Sequence, residues 1–76
     1  MSLQHFERIK SIDHLIRIRG TGPPQQLARR LNISGASLYR ILAFMKDAGA
    51  PIRYSKERQT YYYNEEGSFL VKFVPS

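Results

Sequence analysis

Apolar residues recur from Phe6 at Ile9, Ile12 and Ile16, spacings of three, three and four that draw one stripe along a helix. Leu15 flanks this stripe and Ile18 points away from it. The pattern predicts a first helix over residues 4–19, closed by Gly20 and the break Thr21-Gly22-Pro23-Pro24. Proline suits a first helical turn, so Pro24 opens a second, short helix over 24–31 with Leu27, Ala28 and Leu31 turned inward. Asn32 comes next, one of the few non-glycine residues that tolerates a left-handed backbone, as a tight turn between helices requires. Ser34 then stands where an N-cap belongs. Leu38, Ile41, Leu42 and Met45 set a third helix over 35–48 that stops at Gly49, and its opposite face carries Ala36, Tyr39, Arg40, Ala43 and Asp47. One face of this helix packs and the other is presented.

After Ala50-Pro51 the helical period gives way to alternation. Residues 52–55 (IRYS) and 60–64 (TYYYN) are rich in aromatic and β-branched side chains, and the polar Lys56-Glu57-Arg58-Gln59 separates them as in a hairpin. Adjacent tyrosines in a strand face opposite sides, so Tyr61, Tyr62 and Tyr63 divide between core and rim and do not form one stacking strip for single-stranded nucleic acid. Glu65-Glu66-Gly67 makes another turn. A third strand is expected over 68–74, with Phe69, Val71 and Phe73 on one side and Leu70, Lys72 and Val74 on the other.

Composition narrows the partners. The chain has 76 residues, enough for one domain that buries only about sixty per cent of its unfolded surface, and with no cysteine it has no disulfide staple. The net charge is +6 and the isoelectric point near 10.1, a balance that favours a polyanion. Between His14 and Lys46 the chain carries Arg17, Arg19, Arg29, Arg30, Arg40 and Lys46 without a single carboxylate. No apolar run reaches the length of a membrane span and the N-terminus lacks the apolar core of a secretory signal, so a cytoplasmic, bacterial location is expected. Catalysis is not expected. The chain has no thiol nucleophile and no glycine-rich phosphate loop; His5 and His14 fall on different helical faces, so neither a metal nor another cofactor is foreseen.

Three helices followed by a hairpin is the order of a winged helix-turn-helix, an α+β fold. The stretches LIRIRGTGPPQQLARRLNIS, SLYRILAFMKDAGAPIRY and TYYY resemble the DNA-binding domain of the helix-turn-helix type 11 family, found at the N-terminus of WYL-domain and deoxyribose-operon-repressor-like regulators and in the biotin repressor. The resemblance implies a double-stranded DNA partner, with the third helix in the major groove and the second bracing it across the phosphates. On this pattern Ser34, Gly35, Ala36, Ser37, Tyr39 and Arg40 belong to the recognition helix. Arg40 is placed to meet a guanine or a phosphate, Tyr39 a phosphate or sugar unless it packs on the wing, and Ser37 a phosphate unless it is a plain surface hydroxyl. The hairpin is the wing: Arg53, Lys56 and Arg58, with Arg29 and Lys46 elsewhere, are the expected backbone contacts, against the alternative of a solvated turn.

The chain departs from the family pattern at three places. Gly35 and Ala36 stand where longer polar side chains are usual, which leaves the first turn of the reading helix bare. Pro23 replaces a capping threonine, a loss that Thr21 is placed to offset. Ile41 and Phe44 replace polar residues and suggest either a homodimer through these residues and the C-terminal strand, or a cover formed by that strand. A lone module covers only about 600 to 1,000 Å² on DNA, so a homodimer on two half-sites is the expected functional unit. The competing expectation is a protein-interaction or dimerisation module that keeps the fold without reading DNA. Larger relatives continue into an effector-sensing domain, so this chain is either part of a longer regulator or a stand-alone module, with no small-molecule ligand in prospect.

Overall fold

The structure, a computed structural model, describes residues 3–70 and 73–76. Its elements run α1 (Leu3–Arg17), α2 (Pro24–Arg30), α3 (Gly35–Asp47), β1 (Ile52–Ser55), β2 (Thr60–Tyr63), β3 (Gly67–Phe69) and β4 (Phe73–Pro75). Ile9, Ile12 and Ile16 of α1, Leu27 and Ala28 of α2, and Leu38, Ile41, Leu42 and Met45 of α3 form the helical part of the core. Ile41 is therefore buried, which removes it from any partner-facing surface; it sits one turn beyond Leu38 on the packed stripe.

All three helices end the same way. A backbone N–H three residues past the last helical residue reaches back five residues, Gly20 to Leu15, Ile33 to Ala28 and Ala50 to Met45, at 2.9–3.0 Å. This closure needs a left-handed residue at Arg19 (φ 54°), Asn32 (φ 58°) and Gly49 (φ 103°). Asn32 and Gly49 are the residue types that accept that conformation; Arg19 is not, and at φ > 0 it carries a cost of about 1–2 kcal/mol. The first helix thus ends at Arg17, two residues short of the sequence expectation, because Arg19 and not Gly20 takes the left-handed position. Pro23 holds the N-cap position of α2 with no side-chain cap, and Thr21 does not replace one.

β1 and β2 form an antiparallel hairpin in the register Ile52↔Tyr63, Arg53↔Tyr62, Tyr54↔Tyr61 and Ser55↔Thr60. Tyr61 and Tyr63 are buried and Tyr62 lies half-exposed on the other side, the division that alternation requires. The hairpin is fixed to the helices through Thr21. The Tyr61 N–H donates to Thr21 Oγ1 at 2.8 Å, the Thr21 N–H donates to Thr60 Oγ1 at 3.2 Å, and the two hydroxyl oxygens lie 3.0 Å apart. Thr21 and Thr60 are both buried.

The single strand expected over 68–74 is instead a second hairpin. Gly67 pairs with Pro75, Ser68 with Val74 and Phe69 with Phe73. In one continuous strand the two phenylalanines would stand about 13 Å apart. Folded back, they are direct cross-strand neighbours, and both enter the core. Val71 and Lys72 lie outside the described residues. Phe69 meets Phe44 edge-on with ring centroids 6.3 Å apart, and Phe73 meets Tyr63 at 4.8 Å. The C-terminal segment therefore touches Phe44 through Phe69 and covers it only in part, leaving it 40% exposed.

Candidate nucleic-acid interface

The first turn of α3 is organised by Ser34. Its Oγ accepts the Ser37 N–H at 3.0 Å, capping the helix, and donates to Ser37 Oγ at 3.1 Å, so each bond holds the Ser34 hydroxyl in place. Gly35 and Ala36 are exposed, and a Cβ at Gly35 would meet nothing within 4 Å. This turn gives a smooth surface on which backbone can approach a ligand closely. One turn further, Tyr39 and Arg40 project into solvent, Tyr39 with 56% of its surface exposed.

Tyr39 also lies near the β1–β2 hairpin, close to Tyr61. The Tyr61 phenol is pushed up to about 12, first by burial and then by the neighbouring Tyr39 phenol and by Tyr54. Tyr54 packs edge-on to Tyr61 with centroids 4.9 Å apart. Tyr39 thus lies beside a packed Tyr54–Tyr61 pair of the hairpin while most of it remains exposed. On the other flank, Arg8 of α1 lines a depression with Ser37, Arg40 and Ile41, which puts a second arginine beside Arg40.

The hairpin turn is fully exposed from Lys56 to Gln59. Ser55 Oγ accepts the Arg58 N–H at 3.1 Å, and Gln59 takes a left-handed backbone (φ 52°) to close the turn. Arg53 is exposed on the outer face opposite Tyr62 in the register. That face gains a cation from elsewhere, since the Arg19 guanidinium stands over the Tyr62 ring at 5.6 Å from its centroid.

The remaining expected contacts are not gathered here. Arg29 is exposed on the last turn of α2, beside Gln26 and Arg30. Lys46 lies in the last turn of α3, about 18 Å along the helix axis from Ser34, where a cation suits the negative end of the helix dipole. The acid-free basic window is also less free than it reads in sequence. Arg17 Nε donates to Asp13 Oδ2 at 3.1 Å, the only ion pair among the described residues, and Arg30 donates to the Gly20 carbonyl at 3.3 Å.

Sequence reasoning gave no role here to Arg8, Arg19 and Asp13, and assigned Thr21 a capping role in place of the hairpin contact it makes. Arg8 and Arg19 had only their charge as a signal. Thr21 was visible as a polar residue in a break, and Asp13 as an acid on the inward stripe of α1, one residue past Ile12. The Asp13 carboxylate is 5% exposed; Oδ1 accepts the Tyr63 hydroxyl at 2.7 Å and the Phe69 N–H at 2.8 Å. Burial and this hydrogen bond push the Tyr63 phenol far above its ordinary value.

Among the described residues no group of three or more His, Asp or Glu side chains is placed to hold a metal, and no helix is long and apolar enough to cross a membrane. Comparison with family models, with curated proteins and with solved structures finds no match.

Proposed function

We propose that this chain is a winged helix-turn-helix module of the type 11 kind that binds double-stranded DNA as a transcriptional regulator or as the DNA-binding part of one. The observation that carries the reading is the presented face of α3, where Ala36, Tyr39, Arg40 and Ala43 stand exposed while the opposite face is fully packed. In this reading α3 enters the major groove, with α2 packed behind it through the left-handed turn at Asn32. Arg40 is the one long donor on the reading face and reaches a guanine edge or a phosphate. The bare Gly35–Ala36 turn lets the helix lie close to the groove but supplies no hydrogen-bonding side chain, so most of the affinity comes from phosphates and falls steeply with salt. The hairpin, with Arg53, Lys56 and Arg58, is the wing.

Charge reversal at Arg40 and Arg58 together tests this. Both side chains are exposed, so the variant folds, and its affinity for a mixed-sequence duplex at low salt is expected to fall by roughly tenfold or more. Unchanged affinity would end the DNA reading. Selection of bound duplexes from a random pool then reports sequence preference; the bare first turn predicts weak enrichment.

A second reading, a protein-interaction module or homodimer, draws on the exposed Phe44, Leu70 and Val74. Sedimentation over a range of concentrations tests it, and a strictly monomeric profile counts against it.

A further inference from the structure

Arg19 occupies a left-handed backbone position that asparagine and glycine fill at the ends of the other two helices. Strain of this kind in a residue with a long charged side chain calls for a compensating role. The consequence of the conformation is where the side chain goes. Its guanidinium lies over Tyr62, and the residue lines an open depression of about 370 Å³ with Ser55, Lys56, Glu57, Arg58, Thr60 and Tyr62. Two residues on, Thr21 is bonded to Thr60 and Tyr61, which holds the segment bearing Arg19 in a fixed position against the hairpin. Arg19, Lys56 and Arg58 have no ion-pair partner among the described residues, and Glu57 offsets one of the three charges facing the depression. Three cations brought together from two separate parts of the chain repel one another, and an anion between them relieves that repulsion.

We propose that Arg19, Lys56 and Arg58 form one phosphate-binding site on the outer face of the hairpin, with the Tyr62 ring as its wall, that takes phosphodiesters of a duplex backbone. The inference rests on the DNA reading and adds to it a contact from the α1–α2 connection, separate from the turn of the hairpin. Lys56 and Arg58 sit on an exposed turn; Arg19 gives the site a member anchored in the helical part. A guanidinium whose one face lies on an aromatic ring still presents its edge N–H groups to phosphate oxygens.

The test uses the whole chain with Arg19→Asn, which keeps a residue tolerant of left-handed backbone while removing the charge, and Arg19→Lys, which keeps the charge. Affinity for a mixed-sequence duplex is measured by fluorescence anisotropy between about 50 and 200 mM salt. Inorganic pyrophosphate, followed by NMR shifts of the Arg19 side chain and the Tyr62 ring, is the second probe. The expected result is a several-fold loss of duplex affinity in R19N, with the slope of log affinity on log salt flattened by about 0.9, the value for one phosphate contact, and a slope close to wild type in R19K. If wild type binds duplex and R19N retains the same slope, the site is overturned while the DNA reading stands. If wild type does not bind duplex but pyrophosphate shifts Arg19 and Tyr62, the duplex assignment is overturned and the same cations serve a free phosphate compound. If neither probe binds, both are overturned.

Discussion

The two hairpins of this molecule are attached in the same manner and present different chemistry. Each is a two-stranded ribbon, a unit that is marginal in water unless something holds it. In each, a buried polar side chain of the helical part bonds a strand N–H: Thr21 takes the Tyr61 N–H of the first hairpin and Asp13 takes the Phe69 N–H of the second, while Asp13 also holds the Tyr63 hydroxyl of the first. The Thr21 hydroxyl is neutral and completes its bonding locally, donating to the Gly22 carbonyl. The Asp13 carboxylate serves more partners, collecting the Tyr63 hydroxyl and Arg17 as well. Outward, the first hairpin displays Lys56 and Arg58, and the second displays Leu70 and Val74. A hydrogen-bonded anchor fixes a hairpin without using its outer face, which leaves that face open to function in the first and to packing or partnership in the second.

Asp13→Ala should break the comparison most severely. It strands two buried donors, the Phe69 N–H and the Tyr63 hydroxyl, at about 1–3 kcal/mol each, against a total stability of roughly 4–11 kcal/mol for a chain of this size. Urea unfolding reads the loss, and amide exchange should rise at Phe69 well before it rises at Tyr61. Because Asp13 also holds Tyr63 of the first hairpin, simultaneous release of both would mean that this shared carboxylate, more than Thr21, anchors the first.

Gly67→Ala comes next. A Cβ there would fall on the Val74 carbonyl oxygen and on the Phe73 ring, one a backbone atom and the other wedged against Tyr63, so neither gives way cheaply. A cost of about 1–3 kcal/mol is expected, confined to the second hairpin, with the first still protected from exchange. Thr21→Val, nearly equal in shape, leaves the buried Tyr61 N–H unpartnered and removes the donor to the part-buried Gly22 carbonyl; it should cost less than Asp13→Ala, about 1–3 kcal/mol, with faster exchange at Tyr61.

The smallest effect is alkaline. Tyr61 has its folded-state value raised from 10.0 to about 12, and Tyr63 is raised further. A raised value means that the native state holds these protons more tightly than the unfolded chain, so their contribution is fully present below pH 10 and is lost as pH rises toward and past about 12. Urea midpoints across this range should fall with pH. Tyr63→Phe should reduce the slope at the upper end, and a pH-independent midpoint would contradict the burial assigned to both rings.

Periodicity located α3 and its two faces with accuracy, because Leu38, Ile41, Leu42 and Met45 record burial directly at helical spacing. The same helical stripe in α1 contained Asp13, but a single acid beside Ile12 carries no local sign that a strand N–H 56 residues away will meet it. The C-terminal hairpin was misread for a related reason. Alternation from Phe69 to Phe73 fits one strand or two, and only the room left over Phe44 and Tyr63 selects the folded-back form. At the candidate site, Tyr39, Arg40, Lys56 and Arg58 were legible as exposed polar residues on a patterned helix and a polar turn. Arg19 was not, since its role depends on a backbone angle and on a neighbour far along the chain.

By itself the sequence determined the three helices, the first hairpin, the division of the tyrosines and the cationic balance, because each is written in local spacing or in composition. Tertiary structure alone decided that the last strand doubles back, that Asp13 and Thr21 anchor the two hairpins, and that Arg19 lines one depression with Lys56 and Arg58. The two anchoring bonds join residues 40 and 56 positions apart, and their registry is set by how the buried faces pack together and not by any pattern within one segment.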